Sequence, residues 1–170
     1  MTTVSGYKVA RCDATVYVRA IGLANMKNTP MLDAFLREQL DQGASTACID
    51  LSACNGMDST FMGTLVAFHH RFTDAGGKLV VCNPTEGNRK LLEMLGVSAV
   101  LPVVSSGIVE ALEFYLLEST GHVAPVLRAR MMKEAHEHLV SLSESNRAKF
   151  SAFLGALEAD LKRLDEAVDD

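Results

Sequence analysis

Apolar and polar side chains alternate in two short runs near the start of the chain. Residues Tyr7 to Arg11 and Ala14 to Ile21 place apolar side chains at about every second position, which is the period of a strand with one buried face. Only Cys12 and Asp13 separate the two runs. We therefore predict an antiparallel hairpin that forms one edge of a sheet.

The pattern then changes to helices that alternate with short apolar strands. Thr29 and Pro30 suit the N-cap and first turn of a helix that ends near Gly43. Further helices are predicted over Ser59 to Ala75, Thr85 to Leu95 and Gly107 to Glu118, strands over Ala47 to Leu51, Lys78 to Cys82 and Val97 to Val104, and a loop over Ser52 to Met57. Because strands joined through helices pair in parallel, the predicted fold class is α/β, a small mixed sheet of about five strands with four helices packed on it.

A different pattern begins after a break over residues 119–125, and we predict a domain over 1–120 and a C-terminal helical extension over 121–170. In the extension, apolar residues recur at spacings of three and four, first at Leu127, Met131, Ala135, Leu139 and Leu142, then at Phe150, Leu154, Leu157, Leu161, Leu164 and Val168. This pattern fits either a helical hairpin or one long helix. Such a stripe must be buried, so one prediction is a homodimer through these helices, and the alternative is a helix that completes the monomer.

Charge and composition exclude several classes of protein. The chain has 16 basic and 21 acidic residues and a net charge of -5, which opposes attraction to nucleic acid or to anionic lipid. No run of about 18 apolar residues occurs, and the first residues lack the layout of a secretory signal. We therefore expect a cytoplasmic protein that binds no nucleic acid and does not insert into a membrane.

Cysteines and histidines form no catalytic or metal-binding pattern. The four cysteines contain no CxxC pair and are interpreted as structural thiols. His69 and His70 lie within a predicted helix, and His136 and His138 are two residues apart, so that they do not share a helical face. We therefore predict no metal site, no cofactor and no enzymatic activity.

The segment around residue 59 resembles a known family. Residues 48–65 read CIDLSACNGMDSTFMGTL, in which a buried strand is followed by an Asp58-Ser59 pair at the start of a helix. Together with the segments 76–82 and 91–97, this resembles the signature of STAS domains, the family of sulphate-transporter and anti-sigma factor antagonist domains. The resemblance covers roughly residues 5 to 118 and implies the STAS fold and a protein-binding module of the antagonist type.

In antagonist members of this family, the serine directly after that aspartate is phosphorylated by an anti-sigma factor serine kinase of the GHKL type, and a PP2C-type phosphatase removes the phosphate. Carried over to this chain, the resemblance implies that Ser59 is the acceptor, with Thr60 as a minor candidate. It also implies that the unphosphorylated protein binds the kinase and that phosphorylation releases it. Independently, a helix start offers free N–H groups and the positive end of the helix dipole to a phosphate.

The predicted partner-binding residues are Asn25, Asp58, Ser59, Thr60, Phe61, Met62 and Gly63. Asn25 is a neutral amide where many antagonist members carry a carboxylate, and Phe61 lies where the best-known ones carry glycine. The ring of Phe61 would either restrict access of the kinase or anchor a partner. An alternative function is a constitutive scaffold subunit of a stressosome-like or lipid ABC transporter complex, in which Asp58 and Ser59 only cap the helix.

Overall fold

Six strands form one mixed sheet in the computed structural model, which describes residues 4–106, 112–119 and 121–169. The strands are β1 (Gly6–Cys12), β2 (Thr15–Ala24), β3 (Thr46–Met57), β4 (Lys78–Cys82), β5 (Val103–Val104) and β6 (Tyr115–Leu116). Their order across the sheet is β5-β4-β3-β2-β1-β6. The β1–β2 hairpin is antiparallel as predicted, β2 to β5 are parallel to one another, and β6 pairs antiparallel with the outer side of β1.

Five helices accompany the sheet in the part of the chain that the structure describes. They are α1 (Thr29–Asp41), α2 (Ser59–Asp74), α3 (Glu86–Met94), α4 (Pro125–Val140) and α5 (Glu144–Val168). The prediction of a mixed sheet with packed helices and a C-terminal helical extension is confirmed.

The core lies where α1 and α2 pack on the sheet. One cluster joins strand side chains to helix side chains, and its fully buried members include Val18, Ile49, Leu51, Leu79 and Val81 from the strands and Leu32, Leu36, Leu65, Phe68 and Phe72 from the helices. Because alternate strand residues share a face, the same packing sets the register of β3. It thereby fixes where β3 ends and α2 begins.

Strand β3 is longer than the sequence predicted. The segment from Ser52 to Met57, predicted as a loop, continues the strand and pairs with β2 as far as Met57 opposite Ala24, through two irregularities in the register. The polar side chains of this segment did not indicate a strand, because pairing with β2 depends on backbone groups rather than on side chains. The prolonged strand brings Asp58 next to the end of β2.

Two predictions after α3 are wrong within the described residues. The expected strand from Val97 to Val104 is a 3₁₀ turn over Val97–Ala99, and only β5 pairs with β4. Gly96 has φ 74° there and turns the chain, while Val97 and Leu101 are buried as core side chains. A helix was expected from Gly107 to Glu118. Residues 107–111 lie outside the described residues, and residues 112–118 form no helix. They instead contain strand β6, which satisfies backbone groups at the edge of β1.

Helices α4 and α5 form a hairpin rather than one long helix. A turn at residues 141–143 joins them, and the Ser143 side chain caps α5 by accepting from the Asn146 N–H. The buried amide of Asn146 donates to the carbonyl oxygens of Leu95 and Leu139, both at 2.8 Å, and so ties the hairpin turn to the end of α3. Helix α4 packs on α2 and α5 packs on α4. Of the apolar stripe, Ala135, Leu139 and Leu157 are buried, Leu127 and Val168 are exposed, and the other members are half-buried, so the homodimer stays a prediction.

The turn before β4 provides a test of the packing. A Cβ atom on Gly77 would lie 1.8 Å from the carbonyl oxygen of Ser45, whereas one on Gly87, in α3, would meet nothing within 4 Å. We expect Gly77→Ala to lower the free energy of unfolding by about 1–3 kcal/mol, as overpacking does. Urea unfolding measures this, with Gly87→Ala as the control that stays unchanged or gains slightly. Equal midpoints for the two variants would contradict the close packing at Gly77.

Candidate functional site

Asp58 joins the start of α2 to the loop that follows β2. It is the N-cap of α2, and its Oδ1 accepts from the Phe61 N–H at 2.9 Å. Its Oδ2 accepts from the Met26 N–H at 2.8 Å. One carboxylate therefore fixes two segments, which makes it more than the helix cap that the sequence predicted.

The loop from Ala24 to Thr29 is held by its own polar groups. Asn25 Oδ1 accepts from the Lys27 N–H at 2.9 Å, and the Asn28 side chain accepts from the Tyr7 hydroxyl at 2.8 Å. Asn28, not Thr29 as predicted, occupies the N-cap position of α1. Thr29 instead is fully buried and donates its hydroxyl to the carbonyl of Asn25. Asn25, which the sequence analysis predicted to bind a partner, is half-buried beside the start of α2.

Ser59 is the first residue of α2, and its hydroxyl contacts the C-terminal hairpin. Its Oγ lies 2.8 Å from Nε2 of His136, whose Nδ1 lies 2.7 Å from the carbonyl oxygen of Met132. Because a carbonyl only accepts, Nδ1 carries the proton, and Nε2 of the neutral ring must accept. The Ser59 hydroxyl therefore donates its hydrogen to His136. Sequence reasoning had dismissed His136, because a contact between residues 77 positions apart leaves no local signal.

The environment of His136 keeps its ring neutral. The residue is 2% exposed, and its ring packs against those of Phe150 and Phe153. Burial lowers the pKa of His136, while the hydrogen bond to Met132 and the charge of Asp58 act in the opposite direction. The pairing of hydroxyl and imidazole resembles the nucleophile and base of a hydrolase. However, the pKa of the His136 ring is lowered, and its Nδ1 faces a carbonyl oxygen rather than a carboxylate. His136 is therefore a weak general base for the Ser59 hydroxyl.

Four of the predicted partner-binding residues are buried. Thr60 and Met62 are each 3% exposed, and Phe61 is fully buried with its ring stacked on that of Tyr7. A Cβ atom on Gly63 would lie 2.1 Å from the carbonyl oxygen of Ala135 in α4. Thr60, Phe61, Met62 and Gly63, predicted as partner-binding, are therefore not exposed in this structure: Phe61 and Met62 belong to the core cluster, and Gly63 faces α4. The period of α2 alone does not reveal that a distant helix covers this face.

Two shallow depressions flank the half-buried Ser59. One, of about 350 Å³, is lined by Leu23, Ala24, Asn25, Gly56, Met57, Asp58 and Leu91. The other, of about 320 Å³, is lined by Met26, Asp58, Ser59, Thr60, Met132, His136, Phe150 and Phe153. Leu23, which is 52% exposed, was missed by the sequence analysis, since one apolar residue in a strand does not reveal which face is open. Asn25, Asp58 and Leu23 now define the accessible candidate surface.

Ion pairs hold α4 in place further along α2. The Glu134 carboxylate contacts the guanidinium of Arg71 in α2 and lies 3.6 Å from that of Arg37 in α1. Arg71 also lies 4.9 Å above the centre of the Phe68 ring. The face of α2 that α4 covers therefore presents a glycine for close approach and the cation of Arg71, and Arg37 of α1 adds a second cation for the acidic side chain.

Comparison with known proteins assigns the class. A sequence model of the STAS domain matches residues 8–111, so the chain belongs to the STAS domain family, as the resemblance implied. No curated protein sequence matches the chain. The C-terminal hairpin lies outside the matched residues.

Solved structures of anti-sigma factor antagonists share the fold. A provisional anti-sigma factor antagonist of Thermotoga maritima is 17% identical, with a TM-score of 0.55 over 59% of this chain and 86% of its own. The antagonist SpoIIAA in its unphosphorylated form is 19% identical, with a TM-score of 0.54 over 59% of this chain and 89% of its own. An antagonist from Mycobacterium paratuberculosis is 21% identical, with a TM-score of 0.52 over 62% of this chain and 86% of its own.

Within residues 4–106, 112–119 and 121–169, no three histidine, cysteine, aspartate or glutamate side chains are grouped so as to hold a metal ion. No helix in the same ranges is both long and apolar enough to cross a bilayer.

The corrected surface is tested by a pair of substitutions. Phe61→Ala removes a fully buried ring and should lower the free energy of unfolding by about 3–5 kcal/mol. Leu23→Ala removes a half-exposed side chain and should change it by no more than about 0.5 kcal/mol. Chemical denaturation of both variants measures the difference. A Phe61→Ala protein as stable as the parent would restore Phe61 to the surface.

Protonation of one buried and two half-buried histidines should weaken the folded state. Burial lowers the pKa of His69, His136 and His138, so below about pH 6.5 the unfolded chain binds more protons than the folded one. The stability that the neutral rings contribute is complete above that pH and is lost as the pH falls through their lowered folded values. We expect the free energy of unfolding to fall between about pH 7.5 and about pH 5.

Two variants test whether His136 contributes to this pH dependence of stability. His136→Gln should flatten the dependence, because one of the lowered groups is gone. His122→Gln, at an exposed position, should leave it unchanged. A dependence in His136→Gln as steep as in the parent would show that His136 does not titrate in this way.

Proposed function

We propose that this chain is a phosphorylation-switched protein-binding regulator of the anti-sigma factor antagonist type. It binds an anti-sigma factor serine kinase of the GHKL type while Ser59 is unphosphorylated and is released once Ser59 carries phosphate. A PP2C-type phosphatase resets the switch. The observation that carries the proposal is the half-buried hydroxyl of Ser59 on the first residue of α2, directly after the capping Asp58 of a STAS domain.

The charges around Ser59 support such a switch. A phosphate on the first residue of α2 is stabilised by the positive end of the helix dipole. It also adds about two negative charges next to the Asp58 carboxylate, at the rim of the depression lined by Leu23, Met57 and Leu91. A partner that covers that depression would take water away from the phosphate, which costs free energy, and any carboxylate on the partner would be repelled. A loss of about 3 kcal/mol lowers affinity by about two orders of magnitude, which suffices to exchange partners.

The structural relatives support the same class. SpoIIAA has been solved in an unphosphorylated and in a phosphorylated form, with TM-scores of 0.54 and 0.50 to this chain. Both share the fold within which Ser59 begins α2 here.

Phosphorylation by the kinase is the direct test. We expect the full chain, incubated with a GHKL-type serine kinase from the same genome and ATP, to carry one phosphate, which peptide mass spectrometry locates at Ser59. Ser59→Ala should abolish the modification, whereas Ser52→Ala, at an exposed serine before the same turn, should leave it intact. Phosphate at Thr60 or elsewhere, or an unmodified chain with every such kinase, would count against the proposal.

The hydrogen bond between Ser59 and His136 favours a second candidate, the constitutive scaffold subunit of a stressosome-like or lipid ABC transporter complex. There, the hydroxyl only stabilises the docked hairpin. The affinity of the bound partner for the unmodified and the Ser59-phosphorylated chain separates the two. The switch predicts that phosphorylation weakens binding by about a hundredfold, while the scaffold predicts equal affinities.

A further inference from the structure

Helix α4 covers the face of α2 that begins at Ser59. We infer that this face is an interaction surface for a helix, that the chain's own hairpin occupies it while Ser59 is unmodified, and that phosphorylation of Ser59 opens it to a helix of a partner. The inference rests on the proposed function for the modification itself. It adds a second, phosphorylation-dependent surface to the one that Leu23, Asn25 and Asp58 form.

The shape of the surface defines the helix that fits it. Because Gly63 has no side chain, the α4 backbone approaches it at Ala135, and a larger residue on the incoming helix at that point would keep the two backbones apart. The preceding residue, Glu134, reaches Arg71 and Arg37. The partner is therefore an amphipathic helix with a small residue at the crossing and a carboxylate beside it.

The contact at Ser59 makes the occupancy sensitive to modification. A phosphoryl group replaces the hydrogen that Ser59 donates to His136, so the buried Nε2 loses its donor. The walls around this position are the apolar side chains of Met132, Phe150 and Phe153, and the adjacent charge is the carboxylate of Asp58. A dianion placed there gains from the dipole of α2 but is crowded by the apolar side chains of the hairpin, and undocking of the hairpin relieves that cost while the dipole stays.

The charged groups around this contact set the alternative result. From α4, Arg128 reaches the Met26 carbonyl at 3.4 Å, and His136 faces Ser59 itself. If these two groups turned to the phosphate, modification would tighten the hairpin instead of releasing it. The experiment must therefore report the direction of the change.

Phosphoserine installed at position 59 during translation gives a homogeneous sample without any kinase. Hydrogen exchange in the full chain then reports docking by segment. We expect the amides of α4 and of the first half of α2 to exchange at least about tenfold faster in the phosphorylated protein, while β3 and β4 stay as protected as in the parent. Unchanged or slower exchange in α4 would overturn the inference.

Two uncharged variants calibrate the signature of release. Gly63→Ala places a Cβ atom against Ala135 and should speed exchange in α4 without any phosphate, whereas Gly155→Ala, whose Cβ meets nothing within 4 Å, should not. Glu134→Gln, which keeps the side-chain shape, is the milder variant if Gly63→Ala lowers protection throughout the sheet. Full protection of α4 in both Gly63→Ala and Glu134→Gln would show that these contacts do not hold the hairpin.

A peptide tests the vacated surface. The probe is a fluorescent peptide of residues 125–140 with His136→Gln, which removes the ring that opposes the phosphate. We expect it to bind the phosphorylated chain at least about tenfold more tightly than the unmodified chain. Equal binding to both would sink the claim that modification opens a helix site. Because no kinase takes part, failure here is distinct from failure of Ser59 to be phosphorylated.

Discussion

The contact between Gly63 and Ala135 sets how closely α2 and α4 approach. Packed helices usually lie about 8–10 Å apart because side chains separate their axes, and a glycine removes that separation. With α4 against Gly63, distant turns of α2 contact α4 residues that lie two positions apart, Ser59 contacting His136 and Arg71 contacting Glu134. One short stretch of α4 thus contacts α2 from its first residue to its last turn.

Hydrogen-bond polarity at His136 explains why a hydroxyl suits position 59. The Met132 carbonyl fixes the proton on Nδ1, and burial disfavours a second proton, so Nε2 needs a donor. Ser59 supplies that donor from the one atom that phosphorylation alters. The oxygen that donates a hydrogen bond to the buried ring is therefore the same oxygen that would carry the phosphate, and it cannot do both.

The parts of the fold that the sequence predicted are those with local causes. The β1–β2 hairpin and the start of α2 after Asp58 follow from period, capping and turn residues that lie close together in the chain. The hairpin of α4 and α5 was only one of two alternatives that the apolar pattern left open. The segment from Val97 to Val104 was misassigned because a short apolar run fits a buried turn as well as a strand. Strand β6 depends on the unpaired edge of β1, more than a hundred residues earlier. For the same reason, the sequence predicted the start of α2 at Asp58 and Ser59 but not the surroundings of the side chains there. The ring of Phe61 stacks on that of Tyr7 in β1, and His136 reaches Ser59 from α4.

Asp58 links the two sides of the site. Its two oxygens hold the start of α2 and the loop at Met26, and the two depressions that flank Ser59 share it as a lining residue. A partner at Leu23 and the hairpin at His136 therefore act on the same carboxylate and the same helix turn. If a partner's binding favours one arrangement of this turn, thermodynamic linkage requires that docking of the hairpin change the partner's affinity by the same factor. In that case the C-terminal helices are coupled to the outer surface through Asp58.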